Sequence, residues 1–136
     1  MNRPMIFAYQ MLTGLSDAST GALLIIAPVF TLRLMGLHAP ADSLPFLSFI
    51  GAFVLSIGLS SLYGAFLIAR CAGAPRLEMV WLLTAFTRSG VAIFVVAQIL
   101  MQSLEAGWVT VALSDGACVL IQAIGLRRGW LAYAAR

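Results

Sequence analysis

The chain has 136 residues, of which 62% are hydrophobic and 10% charged, and its mean hydropathy is +1.01. Soluble domains average about 25% charged residues, and a domain this small keeps too much of its surface exposed to hide so much apolar area from water, so lipid is the solvent the composition demands. The net charge of +3 comes from eight arginines and no lysine; these sit at the ends of hydrophobic runs and do not cluster with aromatics in a polar stretch, which argues against a nucleic-acid partner.

Four apolar segments are long enough to cross a hydrocarbon core of about 30 Å as helices, which takes roughly 20 residues each. They cover residues 6–34, 46–68, 79–101 and 108–126. Helix is the expected form because an isolated strand cannot satisfy its backbone in lipid. The first segment follows a weakly basic start at Arg3 but is interrupted by Asp17 and continues past Pro28. It therefore reads as a retained membrane helix and not a cleaved leader. Pro28 cannot donate to the carbonyl of Leu24, so a kink is expected there.

In the second segment Ser48, Ala52, Ser56, Ser60 and Gly64 recur every fourth residue, with Gly51 and Gly58 beside them. Small residues let helix backbones approach closely. This face is expected to pack within the molecule or, alternatively, against a second copy or another membrane subunit. The linkers are short and carry Pro40, Gly73, Pro75 and Glu105. Short connections make sequence neighbours antiparallel neighbours, so the expected fold is all-α: an integral-membrane, up-down four-helix bundle forming one domain over residues 1–136. Arg3, Arg70, Arg76, Arg127, Arg128 and Arg136 fall on one side of such a bundle and only Arg33 on the other. That bias predicts that both termini are cytoplasmic. Tyr9, Trp81, Trp108 and Trp130 lie near segment ends, where an interfacial aromatic belt is expected.

Charge inside the segments is the main functional signal. Arg88 lies ten residues past Glu78 and Asp115 twelve before Arg127, which places them about 15 and 18 Å from the same end at 1.5 Å per residue. The third and fourth segments are antiparallel, so the two residues converge near the bilayer midplane. An unpaired charge there costs several kcal/mol at least, so Arg88 is expected to pair with Asp115, and Asp17 to face the same cation. Two carboxylates on one guanidinium leave a surplus negative charge, so one carboxyl, Asp17 in preference to Asp115, is expected to hold a proton at neutral pH or to titrate there. Polar stripes at helical spacing support this convergence: Tyr9, Thr13, Asp17 and Thr20; Thr84, Arg88, Gln98 and Gln102; Asp115, Cys118 and Gln122; and, from the second segment, Ser56, Ser60 and Tyr63.

Candidate ligand-binding residues are therefore Asp17, Ser60, Tyr63, Thr84, Arg88, Gln98, Asp115 and Gln122, and Asp17, Arg88 and Asp115 are the candidates for any catalysis. His38 is the only histidine, and Cys71 and Cys118 should sit at different depths, so neither a metal site nor a disulfide is expected. No motif calls for a cofactor.

In length, number of spans, inward charges in the first, third and fourth segments and the ending Gly125-Leu126-Arg127-Arg128-Gly129-Trp130, the chain resembles the DoxX-like small bacterial four-helix membrane proteins. That resemblance implies a membrane bundle, in a group that includes a subunit of a quinone-reducing enzyme. Three functions remain open. The protein binds or transports a small amphipathic or lipid-like molecule at the midplane cluster. Alternatively it is a non-catalytic subunit or scaffold of a larger complex. As a third reading it is an intramembrane acid–base enzyme, an isomerase or hydrolase, acting on a lipid-soluble substrate.

Overall fold

The structure, a computed structural model, describes residues 2–38 and 40–134. Of the arginines counted for orientation, Arg136 lies outside the described residues. The chain is helical, with no strand among the described residues: α1 (Arg3–Ile26), α2 (Pro28–Leu34), α3 (Leu44–Ala69), α4 (Ala74–Leu100), α5 (Val109–Arg127) and the short α6 (Trp130–Ala134). Three stretches are long and apolar enough to cross a membrane: Leu44–Ala69, Ala74–Leu100 and Ala106–Arg127. The first sequence segment is two helices, α1 and α2. The break falls at Ala27 (φ −142°, ψ 63°), where Pro28 starts the new helix at its first position and has no N–H to give the old one.

The helices form two antiparallel pairs, α1 with α3 and α4 with α5, joined by a lighter contact between α3 and α4. Glycine sets the closeness of the first pair. A Cβ on Gly21 would lie 2.3 Å from the Leu55 nitrogen, and one on Gly58 would lie 2.3 Å from the Ala18 nitrogen. The four-residue row expected to form this contact behaves differently. Gly64 is buried and Ser48 is half-buried, its hydroxyl donating to the Leu24 carbonyl at 3.4 Å, whereas Ala52, Ser56 and Ser60 face outward. Each step of four residues turns 40° around a 3.6-residue helix, so that row drifts off the interface, while Gly51, Gly58 and Ala65, seven apart, stay on it.

Pairing puts Arg3, Arg70, Arg76, Arg127 and Arg128 at one end of the molecule, at the start of α1 and α4 and the finish of α3 and α5, and Arg33 at the other. At the arginine-rich end α6 folds back so that Leu131 joins Ile6, Ile68, Leu77 and Trp81 in a buried apolar cluster. Trp81, expected in an interfacial belt, is fully buried there; Gly125 makes room for its ring, because a Cβ on Gly125 would lie 2.4 Å from it. At the far end Leu32, Leu37 and Leu47 form a second cluster against Trp108. Here the end of α2 is closed by Gly36 (φ +68°). The Leu37 N–H donates to the Leu32 carbonyl at 2.8 Å and Gly36 to Arg33 at 3.0 Å, the paired bonds of a glycine C-terminal cap.

Inside and outside are reversed relative to a water-soluble protein. Large apolar side chains lie on the surface, including Ile26 (81% exposed), Phe86 (80%) and Leu100 (77%), while Gln10, Thr31, Ser61, Thr84, Arg88 and Gln122 are buried. Soluble monomers rarely expose contiguous apolar patches of this extent. The surface suits a hydrocarbon solvent, and the three apolar helices agree with it.

Candidate functional site

Arg88 lies near the middle of α4, on its buried face, with Thr84 one turn before it and Val95 two turns after. Its guanidinium bridges two helices: Nη1 donates to Asp115 Oδ1 on α5, and Nη2 donates to Asp17 Oδ2 on α1. The arginine side chain is 4% exposed, those of Asp17 and Asp115 21% and 14%. The cation therefore sits behind, and the carboxylates sit at the edge. Charge-assisted bonds of this type are stronger than neutral ones, and they turn three polar stripes toward one point.

One turn toward the arginine-rich end lies a second polar layer. Gln122 Nε2 donates to Thr84 Oγ1 at 2.9 Å, and the Thr84 hydroxyl also donates to the Val80 carbonyl at 2.8 Å. Tyr9 reaches from α1 to α5, its hydroxyl donating to the Cys118 carbonyl at 3.4 Å, and its ring lies 5.5 Å from that of Trp81. Several buried polar atoms have no partner among the described residues: the amide oxygen and nitrogen of Gln10, Gln122 Oε1, Trp81 Nε1 and Arg88 Nε. A buried group without a partner forfeits roughly 1–3 kcal/mol, so this interior holds unused hydrogen-bonding capacity at Arg88 itself and about two turns away toward the arginine-rich end.

The residues expected to line a site fall into three groups. Asp17, Arg88 and Asp115 come together, and Thr84 joins Gln122 beside them. Ser60 and Tyr63 lie on the outer face of α3, in an open groove of about 550 Å³ that they share with Phe53, Val80, Thr84 and Thr87. There the Ser60 hydroxyl donates to the Ser56 carbonyl of its own helix, and the Tyr63 ring stacks on Phe66. Gln98 is half-buried, ten residues along α4 from Arg88, a rise of about 15 Å. Sequence reasoning missed Gln10 and Trp81. Gln10 is seven residues before Asp17 and so shares its helix face; that spacing could have found it. Trp81 is likewise seven residues before Arg88, but its position near a segment end suggested an interfacial role.

The cysteines are free, Cys71 exposed at the end of α3 and Cys118 half-buried in α5. Among the described residues no group of His, Cys, Asp and Glu side chains has the arrangement needed to hold a metal ion. No family model, curated protein or solved structure matches this chain.

Proposed function

We propose that the protein is a multi-pass membrane protein whose Arg88–Asp17–Asp115 cluster binds a small amphipathic or lipid-like molecule. In this reading α1 with α2 supplies a fourth crossing beside the three apolar helices. The four crossings form an up-down bundle in a bacterial inner membrane, with the arginine-rich end cytoplasmic. The lipid-suited flank of α1 supports the added crossing: Leu12, Leu15, Ile25 and Ile26 are all exposed. The plan is that of the DoxX-like bundles. The observation that carries the binding reading is the buried Arg88 with two partly exposed carboxylates, with buried amide and indole groups without partners about two helical turns away. Ionisable groups inside membrane helices mark sites in most bundles that contain them, and unused hydrogen-bonding capacity gives a ligand something to satisfy.

The test is titration of the protein in lipid nanodiscs with cationic, anionic and neutral amphiphiles, read as quenching of tryptophan fluorescence. Saturable quenching by at least one class is expected, lost when Asp17, Arg88 and Asp115 are all replaced by leucine in a variant of unchanged helicity. Equal quenching of that variant by every class would refute the proposal.

A scaffold role is the second reading, and it has an observation of its own. Ala52, Ser56 and Ser60 leave a small-residue strip uncovered on α3, where another membrane helix can approach closely. Disulfide trapping between copies carrying Ser56→Cys in membranes tests the homodimer form of that role.

A further inference from the structure

We infer that the ligand taken by this cluster is a lipophilic organic cation, which exchanges with a proton. The inference rests on the binding role proposed above and adds the sign of the ligand's charge.

The first ground is the charge count. The groups facing the cluster are Asp17 and Tyr9 from α1, Arg88 from α4, and Asp115 and Cys118 from α5. From α3, Tyr63 lies on the outer face and the buried Ser61 is not ionisable. The remaining charges of these helices, Arg3, Arg76, Glu78, Arg127 and Arg128, lie in or next to the end turns at the arginine-rich end, exposed apart from the half-buried Arg3. Two carboxylates against one guanidinium give a formal charge of −1. A low-dielectric interior does not hold that charge uncompensated. A proton or a monovalent cation must complete it, and only one of them is needed.

The second ground is the order in which a ligand meets the charges. Arg88 is 4% exposed, while the carboxylate-bearing side chains are 21% and 14% exposed. An approaching anion meets carboxylate oxygen first, with the guanidinium already engaged by both acids. An approaching cation meets the complementary charge.

The third ground is the path and its lining. Among the described residues the α1 backbone hardly comes within 8 Å of α4 or α5. Long side chains span that gap, and Tyr9 and Thr13 of α1 and Val111 and Cys118 of α5, on the same helix faces as Asp17 and Asp115, are only half-buried. A ligand with an apolar body can therefore arrive from the hydrocarbon side. Tyr9 crosses the gap to Cys118, one turn from Asp115, and offers an aromatic face of the kind that attracts cations. Gln122, 1% exposed and seven residues from Asp115 on the same face of α5, contributes a carbonyl oxygen that has no donor. Its partial negative charge favours a cation, while the unpaired Arg88 Nε–H lies behind the carboxylates on a side chain 4% exposed.

The matched ions tetraphenylphosphonium and tetraphenylborate differ in charge and hardly in shape, so their binding to the protein in nanodiscs, measured by equilibrium dialysis, tests the sign directly. The phosphonium should bind saturably and at least about tenfold more tightly than the borate. Its affinity should fall as pH is lowered, by about tenfold per unit wherever the competing proton is bound, and it should drop about tenfold or more in Asp17→Asn. If Asp17→Asn does not fold, Asp17→Glu should retain binding and Asp115→Asn should lose it. Phosphonium binding unchanged by pH and by these variants would overturn the inference. Borate or a neutral amphiphile binding more tightly, and losing that binding when the three charged residues become leucine, would overturn the cation while leaving the binding site standing. If no class binds saturably, both proposals fall.

Discussion

Replacing Arg88 by leucine removes the cation that two carboxylates share. Breaking a buried ion pair by deleting one partner costs about 3–5 kcal/mol, because the other charge stays buried alone. Here Asp17 and Asp115 keep 21% and 14% exposure, which relieves part of that penalty and sets the expected loss for Arg88→Leu near the lower end, about 3 kcal/mol. Replacing all three charged residues by leucine removes the desolvation burden together with the attraction. That variant should recover most of the loss and stand within about 1–2 kcal/mol of the parent protein. Asp115→Asn leaves the guanidinium with Asp17 and a neutral acceptor, and should cost only about 1 kcal/mol. Unfolding in mixed detergent micelles, followed by the fluorescence of the buried Trp81, measures all four proteins in one series. If Arg88→Leu proves no less stable than the triple variant, the three residues are not an energetically coupled cluster.

Three further predictions test other parts of the architecture. Gly58→Leu should separate α1 from α3, because even a Cβ would lie 2.3 Å from the Ala18 backbone; a loss of several kcal/mol in the same assay is expected, whereas Gly90→Leu, inside α4 with open space around it, should be neutral or gain up to about 1 kcal/mol. Gln102, which closes α4 at φ +58°, occupies a position that suits glycine, so Gln102→Gly should raise stability by about 1 kcal/mol, seen as a shift of the unfolding midpoint. In sealed vesicles of inner-membrane orientation, a membrane-impermeant maleimide should reach Cys71, exposed at the arginine-rich end, only after the membrane is permeabilised. Labelling of intact vesicles would reverse the proposed orientation.

The helices, their approximate ends and the break at Pro28 were legible in the sequence because each is a local property. Apolar runs of span length, glycine and proline punctuation, and a missing N–H act on the chain within one or two turns. The meeting of Arg88 with Asp115 and Asp17 was legible for a related reason. Helical rise fixes how far along its helix each charge sits, and a charge in an apolar run has few alternatives to a partner of opposite sign. Which face each helix turns toward its neighbours was a tertiary matter. Ser56 and Ser60 belonged to a plausible small face, yet the glycine contacts of Gly21 and Gly58 drew α1 onto a different side of α3 and left both serines outside with Tyr63. Trp81 became an interior residue only when α6 folded back and closed the arginine-rich end, and Gln10 when α1 packed against Gly64 of α3. The sequence by itself determined the solvent the protein requires, the helical class and the charges that must be compensated, because those follow from composition and rise per residue. The tertiary structure decided the rest: that the carboxylates stand at the edge and the arginine behind them, and that the second polar layer is left with unpaired atoms. Those depend on how two helix pairs lean together, and no single segment carries that information.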